Sequence, residues 1–222
     1  MKFYADTANL NEVKELNGMG VISGVTTNPS LISNEPKAKF EDLIFPLVKY
    51  CHENKLSLSV EVFSLLFDDM LNEAKTLSNK LKDYEDILKI KIPVTLDGIN
   101  VISKLNDIGI KTNATACYTE QQMMMAAQAG ASYVSLFYCR LQEDGGNCQK
   151  VLFRTREFLE KNNLDTKIIC GSIRTQADVS NAFNYGAHIV TTNISVYKHM
   201  LMHPKTQKAI DQFFEDYTKW MS

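Results

Sequence analysis

Short apolar or alternating runs recur along the chain at intervals of roughly 20 to 30 residues, and each is followed by an amphipathic stretch. This alternation is typical of βα units that build a parallel sheet. Eight strands are predicted, at 2–5, 21–25, 56–60, 87–92, 111–115, 133–136, 167–170 and 188–191. The pattern favours an α/β fold closed as a (β/α)8 TIM barrel. A doubly wound open sheet is the alternative, but its GxGxxG phosphate motif is missing.

Helix boundaries in this pattern are marked by specific residues. A left-handed helix stop is expected at four glycines that precede predicted strands: Gly20, Gly109, Gly130 and Gly186. Two helix starts have the order of a capping box: Thr119 with Gln122, and Thr175 with Asp178.

A surplus helix is predicted after the eighth strand, at 203–221, with Pro204 in its first turn. Its apolar residues fall on one face: Ile210, Phe213, Phe214, Tyr217, Trp220 and Met221. This face either packs under the barrel or docks on a neighbouring subunit, and exposed aromatic residues at a chain end favour the second interpretation. No linker interrupts the chain, so residues 1–222 are expected to form a single barrel domain.

The composition of the chain limits which binding partners and which cellular compartment are expected. The 222 residues carry a net charge of −2 without a basic block, which gives no reason to expect nucleic acid or an acidic membrane as partner. The five cysteines lack CxxC spacing, so reduced thiols are expected, and neither disulfides nor a metal site are indicated. No apolar stretch approaches the roughly 20 residues of a membrane span, and we expect a cytoplasmic protein.

Three charged residues stand within a predicted strand or directly at its end, where burial is costly. Lys91 lies within the apolar run 87–95, and removal of an ammonium from water favours the neutral amine, a nucleophile suited to Schiff base formation. Because strand side chains alternate, Lys91 and Glu61 point into the barrel if their aliphatic neighbours face the helices. Glu61 is then either an ion-pair partner of Lys91 or a proton carrier for it. Asp6, on the first strand, is a second carboxylate that could divide acid and base duties with Glu61.

The predicted strand ends are almost entirely polar, and barrel enzymes place their chemistry there. Candidate residues at these ends, beyond the three charged ones, are Thr26, Asn28, Thr115, Ser135, Phe137, Arg140, Ser172 and Arg174. For Thr27, Asn28 and Asn193, a role as helix cap or turn residue is at least as good an interpretation. Arg140, Arg174 and Ser172 have the chemistry of a phosphate site, although the arginines could instead pair with Glu143 and Asp144.

Several segments in order along the chain resemble the transaldolase family, in the short-chain subfamily that also contains fructose-6-phosphate aldolases. These segments are Asp6-Thr7, Gly24-Val25-Thr26-Thr27-Asn28-Pro29-Ser30, Val60-Glu61-Val62, Lys91-Ile92-Pro93-Val94-Thr95 and Gly171-Ser172-Ile173-Arg174-Thr175. The resemblance implies that Lys91 is the Schiff base lysine and Asp6 the acid/base for carbon–carbon cleavage. It also implies that Asn28 binds the dihydroxyacetone unit and that Glu61 and Thr115 hold the catalytic water. Arg140, Ser172 and Arg174 would bind the sugar phosphate.

Glu61, Ser135 and Phe137 resemble transaldolases, because the aldolase members tend to carry glutamine, alanine and tyrosine there. Phe137 has no proton to give to an enamine, so transfer to an acceptor is favoured over release of dihydroxyacetone. The expected function is therefore a cofactor-free transaldolase of the pentose phosphate pathway, with sugar phosphates as its small-molecule ligands. A dihydroxyacetone-releasing aldolase is the runner-up, and a non-catalytic sugar-phosphate-binding barrel is the alternative of another class. By the same resemblance, a homo-oligomer is expected, a pentamer or a decamer.

Lys89 departs from the family pattern, which usually has an aliphatic residue there. Its parity sends it into the barrel one layer beneath Lys91. Ser59 and Asn113 lie on the flanking strands and are expected to solvate it. A charge at this place would favour the free amine at Lys91.

Overall fold

The computed structural model describes residues 1–222 and contains eight parallel strands in one closed barrel. Each strand pairs with its neighbours in sequence, and the eighth closes on the first, which confirms the predicted (β/α)8 barrel. The strands are β1 Lys2–Asp6, β2 Gly24–Thr26, β3 Ser57–Glu61, β4 Leu88–Pro93, β5 Thr112–Cys117, β6 Tyr133–Phe137, β7 Lys167–Ile173 and β8 Ile189–Thr192.

Helices follow every strand and surround the barrel. They are α1 Leu10–Gly18, α2 Pro29–Ser33, α3 Phe40–Glu53, α4 Phe67–Lys80, α5 Leu96–Asp107, α6 Glu120–Gln128, α7 Tyr138–Glu143, α8 Cys148–Lys161, α9 Gln176–Asn184, α10 Ile194–Leu201 and α11 Pro204–Met221, with a 3₁₀ turn at Lys82–Tyr84. The four predicted glycine stops all have positive φ, and both predicted capping boxes are formed.

The second strand begins later than the alternation predicts. Val21 lies before it in a loop and is 38% exposed, and regular pairing starts at Gly24. A Cβ at Gly24 would lie 2.6 Å from the ring of Tyr4, so glycine leaves room for that ring inside the barrel.

The two faces of the barrel strands differ in chemistry. Outward residues such as Val60, Ile90 and Ile92 join one large apolar cluster between barrel and helices. The interior has a much smaller apolar cluster of Tyr4, Ile169 and Ile189, with Tyr133 against it. The rest of the barrel interior is therefore mostly polar, and Lys91 lies on this inner side, as its parity predicts.

Two strands are bulged near their carboxyl ends. The register shifts between Ala114 and Cys117 on β5 and between Cys170 and Ile173 on β7. Ala116 and Ser172 have φ of 59° and 58°, a left-handed conformation that residues with a side chain rarely adopt. Bulges bend a strand and re-aim its side chains, and they are frequent beside functional sites. Both bulges lie at the end of the barrel where the polar residues converge.

Helix α11 has no buried residue. Its apolar face is exposed in the single chain, with Phe213, Phe214 and Trp220 each at least 70% accessible, so this face does not pack under the barrel. None of the helices combines the length and the apolar character that a bilayer crossing requires.

Candidate active site

A cavity of about 290 Å³ opens at the carboxyl ends of the strands. Its lining includes ten of the eleven residues that the sequence nominates: Asp6, Thr26, Asn28, Lys91, Thr115, Ser135, Phe137, Arg140, Ser172 and Arg174. The eleventh, Glu61, contacts Lys91. The barrel thus brings together residues that are up to 168 positions apart in sequence, from Asp6 to Arg174.

Lys91 is held at the inner wall of this cavity by two acceptors. Its Nζ lies 2.9 Å from Glu61 Oε2 and 2.9 Å from the backbone oxygen of Thr27. The pairing of β3 with β4 sets Glu61 directly opposite Lys91, so the contact follows from strand register. Lys91 is only 5% exposed. The amine is thereby fixed in position and shielded from bulk water, next to a carboxylate that can exchange a proton with it.

Asp6 faces the same cavity from β1. Burial raises the pKa of the Asp6 carboxyl, and the charge of Lys91, a hydrogen bond from Thr26 and the charge of Arg140 oppose that rise. Thr26 Oγ1 donates to Asp6 Oδ1 across 2.7 Å. A buried carboxyl group whose pKa is raised is a candidate for proton exchange with a ligand in the cavity.

Thr115 has a buried hydroxyl that makes no hydrogen bond within the chain. Buried polar atoms normally have a partner, so this donor and acceptor is available to a ligand or to water. Its place at the end of β5, one strand from Lys91, fits the predicted role of holding a water molecule.

Ser135 belongs to a polar layer that lies across the barrel. Its Oγ donates to Asn113 Oδ1 at 2.7 Å, and Asn113 Nδ2 donates to Ser59 Oγ at 3.1 Å. The side chain of Asn113 therefore hydrogen-bonds to both Ser59 and Ser135, which fixes the orientation of Ser135 in the cavity wall.

The expectation that Ser59 and Asn113 solvate Lys89 is wrong. Lys89 points into the barrel but turns toward its amino end, where Nζ donates to the backbone oxygen of Ile87 at 3.1 Å. The ammonium also lies over the ring of Tyr133, 5.6 Å from the centroid. Backbone carbonyls and an aromatic face attract a cation and can replace the polar layer as its partners.

The arginines of the expected phosphate site differ in their contacts. The guanidinium of Arg140 lies over the ring of Phe137, 4.8 Å from the centroid, and makes no ion pair within the chain. Arg174 pairs with Glu143 through two N–H groups, as the alternative interpretation anticipates. Three of the five N–H donors of Arg174 remain for an anion. Ser172, in its bulge on β7, lines the cavity beside both arginines.

Asn28 and Asn193 have the capping role that the sequence analysis allows for them. Asn28 Oδ1 accepts from the backbone N–H of Leu31 at 2.9 Å, and Asn193 Oδ1 accepts from that of Val196 at 3.2 Å. Both residues also line the cavity, so capping and ligand contact are compatible.

Thr191 is a cavity residue that sequence reasoning missed. It follows Ile189 by two positions on β8, so its inward parity was readable from the alternation. A threonine in a strand carries no further signal, because threonine is common in strands generally.

Comparison with known proteins places these residues in a family. The model of the transaldolase/fructose-6-phosphate aldolase family matches residues 3–222. A probable transaldolase from Shouchella clausii is 38% identical over 219 residues, which is 99% of this chain and 98% of that protein. Probable transaldolases from Clostridium tetani and Bartonella tribocorum are 38% and 36% identical, over 98% and 99% of this chain and 98% and 97% of their own. The chain belongs to the transaldolase/fructose-6-phosphate aldolase family.

Proposed function

We propose that this protein is a transaldolase that moves a dihydroxyacetone unit from a ketose phosphate to an aldose phosphate through an imine on Lys91. The observation that carries this proposal is the position of Lys91 Nζ, 2.9 Å from Glu61 Oε2 and in one cavity with Asp6. A buried amine with one carboxylate in contact and a second one across the cavity supplies a nucleophile and two proton carriers.

The reaction begins when the neutral amine of Lys91 attacks the carbonyl carbon, C2, of the ketose. Before this attack Glu61 takes one proton from the Lys91 ammonium, which leaves the neutral amine. After the attack a proton moves from the nitrogen to the former carbonyl oxygen, and Glu61 gives its own proton to the resulting hydroxyl, which leaves as water beside Thr115. The product is an iminium ion. Its positive nitrogen is an electron sink, so the proposed steps use no metal ion or cofactor.

Cleavage follows when Asp6 takes the proton of the C4 hydroxyl. The C4 oxygen becomes a carbonyl, the bond between C3 and C4 breaks, and its electron pair moves into the iminium to give an enamine. An aldose phosphate leaves, and the aldehyde of an acceptor replaces it. The enamine carbon attacks that aldehyde, Asp6 returns its proton to the new alkoxide, and water releases the product from Lys91.

Phosphate recognition is assigned to the far side of the cavity. Arg140 has no carboxylate partner in the chain, and Ser172 and Arg174 lie next to it in the wall. Guanidinium groups match phosphate oxygens with parallel hydrogen bonds. Sedoheptulose 7-phosphate or fructose 6-phosphate would then be the donors, and erythrose 4-phosphate or glyceraldehyde 3-phosphate the acceptors, in the pentose phosphate pathway. Asn28 and Ser135 face the same space and are assigned to the dihydroxyacetone unit.

Phe137 supports transfer over release. It lines the cavity beneath Arg140 and carries no proton donor. Without a donor the enamine is protonated slowly, so it persists until an acceptor aldehyde arrives. The runner-up, an aldolase that releases free dihydroxyacetone, would require such a donor.

Borohydride trapping tests the proposal. The protein is incubated with fructose 6-phosphate, reduced with borohydride and digested, and the peptides are weighed by mass spectrometry. An adduct is expected on Lys91 and not on Lys89, which serves as an internal control for a second buried lysine. No adduct on Lys91 in a folded protein would overturn the proposal and favour a barrel that only binds sugar phosphates.

The oligomeric state and the compartment also belong to the proposal. The apolar face of α11 is exposed in the single chain, and a second copy that covers it would bury Phe213 and Trp220. We assign the protein to a homo-oligomer, a pentamer or a decamer, in which residues 1–222 of each copy form one barrel domain. All five cysteines are buried free thiols, which suits a reducing compartment such as the cytoplasm.

A further inference from the structure

We infer that Thr191 is a positioning residue for Asp6, which it reaches through the hydroxyl of Thr26. This inference rests on the proposed function only for the role of Asp6 as acid/base. It identifies a hydrogen-bonded chain from β8 through β2 to β1 as the device that fixes which oxygen of Asp6 carries the proton.

Two short hydrogen bonds link Thr191, Thr26 and Asp6. Thr26 Oγ1 lies 2.7 Å from Asp6 Oδ1 and 2.6 Å from Thr191 Oγ1. Thr26 is 2% exposed and Thr191 is 4% exposed, so solvent does not compete for either hydroxyl. Strand register explains the meeting: Asp6 pairs with Thr26 on one side of β1, and Tyr4 pairs with Thr191 on the other. The two threonines flank β1 and meet inside the barrel.

The direction of the chain follows from counting protons. A hydroxyl has one proton to donate, and an ionised carboxylate has none. Thr26 must therefore give its proton to Asp6 when Asp6 is ionised. The hydrogen bond between the two threonines then requires Thr191 to donate to Thr26. Donation into Thr26 polarises its hydroxyl and strengthens the bond that it gives to Asp6.

The side chain of Thr191 is oriented for this donation. A Cβ built on Gly171 would lie 3.5 Å from Thr191 Cγ2, so the methyl group is directed toward β7. Because β8 lies between β7 and β1, the hydroxyl is left on the side of Thr26. A β-branched side chain has few χ1 rotamers, and packing of the methyl group holds the hydroxyl in place.

The chain assigns different duties to the two oxygens of Asp6. Protonation of Oδ1 would set two protons between Asp6 and Thr26. Both hydrogen bonds would then have to reverse direction, with Asp6 donating to Thr26 and Thr26 donating to Thr191. Protonation of the other oxygen leaves the chain intact. The second oxygen is therefore the one that exchanges a proton with the sugar hydroxyl, and Oδ1 remains an acceptor in both states. Thr26 accordingly acts on Asp6, in addition to lining the cavity.

Other charged groups face Asp6 and act on it independently. Lys91 on β4 and Arg140 on α7 favour the ionised form. Tyr197 on α10 has its own pKa raised by burial and by the charge of Asp6, and its hydroxyl donates to the backbone oxygen of Tyr4 at 2.8 Å. None of these contacts includes Thr191, so a change at Thr191 isolates the contribution of the chain.

Thr191→Val tests this hydrogen-bonded relay because it keeps the methyl group and the shape of the side chain and replaces the hydroxyl with a second methyl group. The carboxyl carbon of Asp6, labelled with ¹³C and assigned with Asp6→Asn, is titrated by NMR in the wild type and the variant. We expect the Asp6 pKa to rise in Thr191→Val, since the carboxylate loses support. We also expect cleavage of fructose 6-phosphate at neutral pH to slow by about three- to tenfold. Thr191→Ser should recover most of this rate.

Two measurements separate this inference from the proposed function. Borohydride trapping with dihydroxyacetone needs Lys91 but no carbon–carbon cleavage, so Thr191→Val should trap as well as the wild type. Thr155→Val is the control, because Thr155 is also a buried threonine but lies in α8 against Met123. An unchanged Asp6 titration in folded Thr191→Val overturns the inference even if the wild type is a transaldolase. If the wild type never forms a borohydride-trapped adduct, the proposed function is overturned. The Asp6 titration still shows whether the hydrogen bonds from Thr191 through Thr26 act on Asp6.

Discussion

Glu61 Oε2 lies 2.9 Å from Lys91 Nζ, and strand register places the two residues opposite each other inside the barrel. Because burial of two charges costs free energy that their attraction recovers only in part, such a pair is a weak stabiliser of the fold. In the proposed mechanism its role is proton exchange with the amine during imine formation.

The first prediction is that Glu61→Gln slows imine formation. The amide keeps the shape of the side chain but cannot accept a proton, so the rate of borohydride-trappable adduct is expected to fall by about 10²-fold or more. The measurement is timed trapping with dihydroxyacetone, followed by mass analysis of the Lys91 peptide.

Glu120→Gln is the matched control for that variant. Glu120 is similarly buried, with 12% of its side chain exposed against 14% for Glu61, and it pairs with Arg154 outside the barrel. Equal losses in the two variants would show that Glu61 acts only through stability.

The second prediction concerns Phe137, which lines the cavity beneath Arg140. Phe137→Tyr adds a hydroxyl that can protonate the enamine, so release of free dihydroxyacetone from fructose 6-phosphate without acceptor should rise by about tenfold or more. Transfer to an aldose phosphate should fall in the same variant. Free dihydroxyacetone is measured with a coupled reductase. Equal release by wild type and variant would mean that enamine protonation does not limit release.

The third prediction concerns the pH dependence of Asp6. Burial raises its pKa in the folded protein, so the folded state binds this proton more tightly than the unfolded state. The stabilising effect of the protonated carboxyl is complete below the unfolded pKa of about 3.9 and is lost as pH rises through the folded pKa. At a pH well above the unfolded pKa the buried carboxyl therefore lowers the free energy of unfolding.

Asp6→Asn should consequently unfold at a higher urea concentration than the wild type at pH 7, and this difference should vanish in acid. Cleavage should fall by about 10²- to 10⁴-fold, because the amide cannot take the sugar proton. In the wild type, cleavage should decline with falling pH above the range of an ordinary aspartate. If Asp6→Asn is less stable than the wild type at pH 7, burial is not the dominant effect on the Asp6 carboxyl.

The barrel and most of the cavity residues could be predicted from the sequence, because both follow from the alternation of inward and outward side chains along the strands. Period two sets Lys91 and Glu61 on the inner face, and parallel strands bring their carboxyl ends to one edge. The bulges at Ala116 and Ser172 could not be predicted, because tertiary contacts impose a left-handed conformation that no local signal announces. The hydrogen bonds from Thr191 through Thr26 to Asp6 could not be predicted either, since they depend on how the barrel closes.

Lys89 marks the limit of reasoning from parity. Alternation fixes the face on which a side chain emerges but not the direction in which a long, flexible one then turns. Lys89 turns to the amino end and donates to Ile87, away from the cavity that Lys91 lines.

The fourth prediction follows from that position. Lys89→Met should retain cleavage activity within about twofold, because the ammonium and the cavity have no partner in common. Burial lowers the pKa of Lys89 in the fold, so its ammonium costs stability at neutral pH. The variant should therefore be more stable than the wild type at pH 7. The advantage should shrink as pH rises through the folded pKa and disappear above the unfolded pKa of about 10.4, where the lysine is neutral in both states. Urea unfolding at several pH values measures this, and a large loss of activity would restore a link between Lys89 and Lys91.

The fifth prediction tests whether the exposed face of α11 is a contact between copies. Phe213 and Trp220 are 70% and 79% exposed in the single chain, and a charge on either side chain cannot be buried in an apolar interface without cost. The double variant Phe213→Glu with Trp220→Glu should shift the molar mass in light scattering from a multiple of 25.1 kDa to that of one chain. Gln212→Glu lies on the opposite face of the helix and should leave the assembly unchanged. A wild type that already elutes at the mass of one chain would remove the interface from the proposal, and the helix face would then need another occupant.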